Sequence, residues 1–463
     1  MMKEILKFME KHKVDIFFIS IIIVFSIFIR LFLIDEIPTN ITGDESWDLS
    51  NVYRIVFAKD ITPLTFLGDG SVPAIIYFPV ALLIKMFGTS DSILFLRLNI
   101  IVYSILSVIA FYFILKEKTS RIISFLFTLL LSSNYVFLNF SRTAWINMIS
   151  VFSGLFLILF IEKATKEKNS LWYLIAGIFA GISFYGYHYG RILTITVFIY
   201  LFIILLKNGL KAKDIKGLII FWLTTLIICL PFLVNIFNDK AFSLLRRPQA
   251  TFAFSQEKVL GASTTEQTVF FHQLNYTLRG LILFDDSVMS NGVENQRYTP
   301  LYTPPVNLVI KILFWGGLIY LIFKRKYGIW WFVFVSILIT QFLSDLPPNF
   351  SRGLFYIPFI YFVSGFFLSE MLKYSINSLG VQNYKNFIYM YLIIAGFLIS
   401  LSDINVYFEW MKQPYEYNAR QPAIDYREFY VWQDYQINLI KNGQLPIVNQ
   451  EWYMIRNNLI IKD

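Results

Sequence analysis

The chain's apolar residues arrive in runs of about 17 to 20, the length that carries a helix across the hydrocarbon core of a bilayer. Twelve such segments are readable, at 16–34, 73–87, 98–115, 121–138, 144–161, 171–187, 191–206, 217–237, 305–323, 329–346, 353–372 and 386–404. An ordinary soluble domain carries about 25% charged residues; this chain of 463 residues carries 15%, with 56% hydrophobic. A water-soluble fold is excluded, and the fold class read here is an all-α polytopic membrane protein. The net charge of +9 does not imply nucleic acid as a partner, because in a membrane protein the placement of basic residues matters more than their sum. Cys229, the single cysteine, lies in an apolar run, which excludes an intrachain disulfide and a cysteine-based metal cluster.

Placement of charge sets the topology. Lysines 3, 7, 11 and 13 precede the first run, and five short basic loops follow at 116–121, 163–168, 207–216, 324–326 and 373–385. All should face the cytoplasm. If all twelve runs crossed, the N-terminus and these loops would fall on opposite sides. Run 73–87 is short and holds Pro73, Pro79 and Lys85, so it is expected to stay on the outer surface. Eleven spans then remain, with a transmembrane domain over 1–404, large outer loops at 35–97 and 238–304, and an extracytoplasmic tail at 405–463. Trp410, Trp432 and Trp452 make that tail a helical cap resting on the membrane face. The first run lacks a small-residue cleavage site and is read as an uncleaved span.

The spans are almost free of ionisable side chains away from their ends, where Arg30 and Lys311 can reach toward the interface. The outer face, by contrast, collects carboxylates and arginines. Asp44, Glu45 and Asp48 stand in Thr-Gly-Asp-Glu-Ser-Trp-Asp, Asp69 in Gly-Asp-Gly, Arg97 in Arg-Leu-Asn and Arg142 in Ser-Arg-Thr. His188, Tyr189 and Arg191 follow in Tyr-His-Tyr-Gly-Arg, and Asp345 and Arg352 flank Leu-Pro-Pro-Asn-Phe-Ser. A carboxylate in such a set takes a proton from an acceptor, and an arginine grips phosphate oxygens with its planar fork. Other readings of the same residues stand beside these: Asp44 suits a helix N-cap, an outer arginine suits a lipid headgroup, and His188 suits an interface histidine. With His12, His188 and His272 far apart, no histidine metal site is expected.

In the order of these motifs the chain resembles the GT-C membrane glycosyltransferases, in particular the protein O-mannosyltransferase and aminoarabinose-transferase branch. The Asp44-Glu45 pair, the proline-bearing stretch before Phe87-Gly88, Arg97-Leu98, Ser141-Arg142, the 187–191 turn and Pro348-Asn349 before Arg352 carry the likeness, over roughly residues 1–370. The tail adds nothing to it. The resemblance implies a GT-C bundle with amphipathic outer-face helices, a sugar donor on a polyprenyl monophosphate, and inverting transfer on the outer face to a protein, lipid or glycan acceptor. It implies Asp44 as the base on the acceptor hydroxyl and Glu45 as its support. The donor phosphate falls to Arg191 and Arg352, then Arg142 and Arg97, with His188, Tyr189 and Asp345 lining the substrate pocket. No cofactor is required on this reading, because arginines alone can neutralise a monophosphate, though a divalent metal is compatible with it.

Two other readings were open on sequence. A polyprenyl-diphosphate-dependent oligosaccharide transferase shares the chemistry. A lipid or solute transporter calls for ionisable residues midway along spans and for short outer loops, and neither is read here. The expected location is the plasma membrane, as a multi-pass protein with its site facing outward.

Overall fold

The computed structural model describes residues 2–58, 61–67, 72–238, 266–285, 298–300, 303–324, 328–344, 347–378, 381–412 and 424–446. Within them the chain is helical almost throughout, as its apolar runs require. The first half comprises α1 (Met2–Leu31), α2 (Gly43–Phe57), α3 (Phe78–Phe87), α4 (Ser92–Lys116), α5 (Arg121–Ser133), α6 (Tyr135–Arg142), α7 (Asn147–Glu167), α8 (Ser170–Tyr185), α9 (His188–Lys207) and α10 (Ala212–Asn238). The second comprises α11 (Glu266–Leu278), α12 (Leu308–Phe323), α13 (Ile329–Leu343), α14 (Phe350–Gly353), α15 (Tyr356–Ser378), α16 (Lys385–Met411) and α17 (Tyr426–Lys441). Four two-residue strands form two antiparallel pairs: β1 (Asn40–Ile41) with β4 (Ile424–Asp425), and β2 (Phe66–Leu67) with β3 (Val72–Pro73).

Among the described residues, six helices are long and apolar enough to cross a membrane, or seven if α5 and α6 are one span bent by 59°. The remaining apolar helices α3, α8, α12 and α13 are shorter. Run 121–138, expected as one span, is therefore broken. Asn134 makes the break: its Oδ1 accepts the Phe137 amide at 3.1 Å and starts α6, while its Nδ2 donates to the Pro305 carbonyl at 2.8 Å and to the Tyr361 hydroxyl at 3.3 Å. The side chain thereby replaces the backbone bonds that a bend gives up.

Run 73–87 yields only the 10-residue α3, which at about 1.5 Å per residue is too short for a core of about 30 Å. It buries Val80, Ala81 and Ile84 and leaves Leu82, Met86 and Phe87 outward. Its buried side rests on α2 and α4. This is the geometry of a short amphipathic helix that lies on a surface rather than spanning.

Close helix packing uses small residues, because in lipid the gain comes from van der Waals contact. Gly177 and Gly181, four apart on α8, press against α10: a Cβ on Gly181 would stand 2.4 Å from Ile228 Cβ, and one on Gly177 2.8 Å from the Phe221 carbonyl.

Arg30 departs from expectation. It does not reach to the interface; it is fully buried, with Nε on Ser104 Oγ at 2.8 Å and Nη1 on Ser132 Oγ at 3.0 Å. Hydroxyls of α4 and α5 and the Ser26 carbonyl of α1, at 3.2 Å, satisfy it in place. Asp403 on α16, at the end of run 386–404, is also buried, 3% exposed.

Candidate active site

The acidic pair sits in the first turn of α2. Thr42 is the N-cap, and it forms a reciprocal capping box: the Glu45 amide donates to Thr42 Oγ1 at 3.2 Å and the Thr42 amide to Glu45 Oε2 at 2.9 Å. The cap read as open to Asp44 thus belongs to Thr42. The Thr-x-x-Glu spacing was visible in the sequence and is the known signature of this box. Asp44 lies one residue inside the helix, partly exposed, where a carboxylate is favoured by the positive end of the helix dipole.

The two neighbouring acids have different surroundings. Arg97, on the first turns of α4, donates Nε to Glu45 Oε1 at 2.8 Å and Nη1 to the Ile34 carbonyl at 3.0 Å. Both side chains of this pair are 1% exposed. Glu45 is consumed by the cap and by Arg97, whereas Asp44 remains at the surface. One turn on, Asp48 accepts the Tyr77 hydroxyl, tying α2 to the segment before α3. Tyr53 bonds Ser92 Oγ at 2.7 Å, and burial pushes its phenol well above the usual range, so it stays protonated.

Arg142 closes the other side of the same junction. It is fully buried and gathers carbonyls of the α1 end and of the segment after it: Nη1 donates to Ile29 and Arg30 at 2.8 Å each, and Nη2 to Ile37 at 2.7 Å. Its Nε reaches the Tyr407 hydroxyl at 3.2 Å. The Ile29 and Arg30 carbonyls belong to the last turn of α1, where carbonyls lack helical partners and attract a cation, and Ile37 belongs to the segment that follows. Arg97 and Arg142, read from sequence as phosphate ligands, are thus committed to the interior, one to Glu45 and one to α1.

The remaining candidates gather at the start of α7. Asn147 donates Nδ2 to the Ser351 carbonyl at 2.5 Å, holding the turn that carries Arg352. Three residues on, the Ser150 hydroxyl accepts the Tyr187 amide at 2.5 Å, holding the turn that carries His188 and Arg191. Gly186 permits this approach, since a Cβ there would lie 2.4 Å from Ser150 Oγ. Arg191 is partly exposed; its Nε donates to the Phe184 carbonyl at 3.0 Å and its guanidinium stands 4.5 Å from the Phe232 ring centre. Arg352 is 8% exposed, and its amide donates to Asn349 Oδ1 at 3.2 Å, which starts α14. His188 opens α9, partly exposed, edge-on to Tyr187.

Tyr189 is placed differently from a pocket wall. It is buried, stacked 5.3 Å from Phe355, with its hydroxyl 3.1 Å from Ser336 Oγ. Asp345 and Asp69 lie outside the described residues. Among the described residues no group of three or more His, Cys, Asp or Glu is close enough to hold a metal. An open apolar groove of about 500 Å³ begins at Ile192 and runs between α9 and α13, past Ile195, Ile199, Val335 and Ile339.

Residues 71–235 match the family model described as dolichyl-phosphate-mannose-protein mannosyltransferase. The matched stretch runs from just before α3 to near the end of α10, and so contains Arg97, Arg142 and the 187–191 turn. No curated protein sequence matches the chain. Among solved structures, the chain is similar to the Archaeoglobus fulgidus oligosaccharyltransferase in complex with zinc and sulfate, at 13% identity and a TM-score of 0.50, covering 94% of this chain and 57% of that one. The chain therefore spans little more than half the length of that protein. It is also similar to ArnT from Cupriavidus metallidurans bound to undecaprenyl phosphate, at 10% identity and a TM-score of 0.48, covering 87% of this chain and 75% of that one.

Proposed function

We propose that this helical membrane chain is a glycosyltransferase that transfers a sugar from a polyprenyl-monophosphate donor to an acceptor hydroxyl on the outer face of the membrane, with inversion at the sugar carbon; the family match of 71–235 and the shared fold support the reading. The observation that carries this reading is the split of the acidic pair: Glu45 is buried against Arg97, and Asp44, its neighbour, stays partly exposed at the start of α2. The monophosphate donor accords with the description of the family matched by 71–235.

In this reading the Asp44 carboxylate takes the proton of the acceptor hydroxyl. The freed oxygen attacks the anomeric carbon, and the bond from that carbon to the phosphate oxygen breaks, leaving its electron pair on the lipid phosphate. A lipid phosphate is a good leaving group, so the site needs one base and cationic stabilisation rather than an acid and a base. Glu45 and Arg97 fix the turn that presents Asp44. Arg191 and Arg352 hold the phosphate, and His188 lines the space between them and the sugar. The groove beginning at Ile192, an apolar channel between α9 and α13, receives the first isoprene units of the donor. Two arginines neutralise a monophosphate without a divalent ion.

The test is transfer by the purified protein from a polyprenyl-monophosphate sugar and from the matching diphosphate, each with and without EDTA. Turnover of the monophosphate donor alone, unchanged by EDTA, is expected. Turnover of the diphosphate donor alone would overturn the donor assignment.

A further inference from the structure

The C-terminal segment is folded onto the helix that carries the acidic pair. Strand β4 pairs antiparallel with β1, with Asn40 opposite Asp425 and Ile41 opposite Ile424. Ile41 is the residue immediately before the Thr42 cap, so this pairing ends where the Asp44 turn begins. Next, α17 lies along α2. Trp432 is fully buried, its ring 6.4 Å from Tyr53 and stacked 5.8 Å from Phe429. Gln433 donates Nε2 to the Thr89 carbonyl at 2.7 Å, ahead of α4, and the Lys441 ammonium stands 5.1 Å from the Phe57 ring centre.

These contacts reach α2 along its length: β4 just before its start, Trp432 at its third turn, Lys441 at its end. Among the described residues, the helices and turns left to support α2 without them are chiefly α3, α4 and the segment just before α3, with the entry to its first turn held on one side by the Arg97–Glu45 pair. A catalytic carboxylate has to be held within a fraction of an ångström, and a displacement of about 1 Å costs on the order of 100-fold in rate.

We infer that residues 424–441 are a positioning element of the transfer site, setting the Asp44 turn through β4 and seating α2 through Trp432. The inference rests on the reading of Asp44 as the base. It assigns a role in the reaction to a part of the chain outside the stretch matched to the mannosyltransferase family.

Among the described residues the Trp432 Nε1 makes no hydrogen bond, so the value of this side chain is its ring. Trp432→Ala should lower kcat about 10- to 100-fold while leaving the donor KM within about twofold, and Trp432→Phe should restore most of the loss. Trp432→Ala also empties a buried site and should lower the melting temperature, so kcat is compared at a temperature where both proteins stay folded, and Trp432→Phe, which keeps a ring, separates lost positioning from lost fold. Asp44→Asn, assayed in parallel, separates the two claims. If Asp44→Asn is inactive and Trp432→Ala retains the parent kcat, the positioning role is overturned and the base reading stands. If Asp44→Asn turns over normally, the base reading falls, and the positioning claim with it.

A second variant tests whether the segment must stay in place. Opposed residues in an antiparallel pair have Cα atoms about 4.5–5.5 Å apart, within reach of a disulfide. Asn40→Cys with Asp425→Cys, in a Cys229→Ser background, should therefore cross-link on oxidation. Transfer by the cross-linked protein should equal that of the reduced form. Loss of transfer on oxidation, regained on reduction, would mean that the segment has to leave during turnover and would overturn its role as a fixed support.

Discussion

The Arg97 guanidinium lies 2.8 Å from the Glu45 carboxylate with both side chains 1% exposed, and this pair divides the labour of two adjacent acids. One fixes a helix start, and the other, beside it, stays partly exposed. A buried pair of this kind contributes geometry more than net stability, because desolvation offsets most of its Coulomb gain.

Asp44→Asn should reduce transfer by about two to four orders of magnitude, the usual contribution of a positioned proton acceptor. Donor binding and expression should persist, because Thr42 rather than Asp44 caps α2. Near-normal turnover of the purified variant would reject Asp44 as the base.

Glu45→Gln should behave differently. It keeps the capping geometry and leaves Arg97 a buried cation without its carboxylate, a change worth roughly 3–5 kcal/mol in comparable buried pairs. A lowered melting temperature in detergent is expected, together with a smaller fall in kcat than for Asp44→Asn. A Glu45→Gln protein as stable as the parent would show that the Arg97 contact is dispensable.

Arg142→Ala should destabilise the fold without changing donor saturation. It strips the carbonyls of Ile29, Arg30 and Ile37 of their donor in a buried setting, at a cost of about 1–3 kcal/mol for each group left unpaired. Thermal unfolding and the donor KM measured on the same preparation check this. A raised donor KM at unchanged stability would return Arg142 to the phosphate site.

Arg191→Ala and Arg352→Ala should raise the donor KM, and Lys at either position should rescue only in part, since an ammonium lacks the two-pronged fork. Unchanged saturation in both alanine variants would remove these residues from the phosphate site.

In a Cys229→Ser background, a cysteine at position 44 should react with an impermeant thiol reagent in intact cells. Cysteines at 118 and 166 should react only after permeabilisation. Labelling of 118 from outside would overturn the eleven-span topology proposed from the charge pattern.

Segment-local physics alone determined a large share of this protein. Run length and apolarity fixed helices at the twelve positions, Pro73 and Pro79 together with shortness marked α3 as a helix too short to span, and the Thr-x-x-Glu spacing held the start of α2. Each depends on residues within a turn or two of one another, so no knowledge of the fold is needed to read it. The tertiary structure decided how deeply each of the candidate charges is buried. Arg97, Arg142 and Arg191 look alike in sequence, each an arginine near the start or end of an apolar run. One meets Glu45 from 52 residues away, one meets the α1 carbonyls from over a hundred, and one remains partly exposed. The burial of Arg30, the bend at Asn134 and the seating of Trp432 on α2 have the same origin. A polar or aromatic side chain takes its role from the partners that packing brings to it, and those partners lie too far along the chain for spacing to name them.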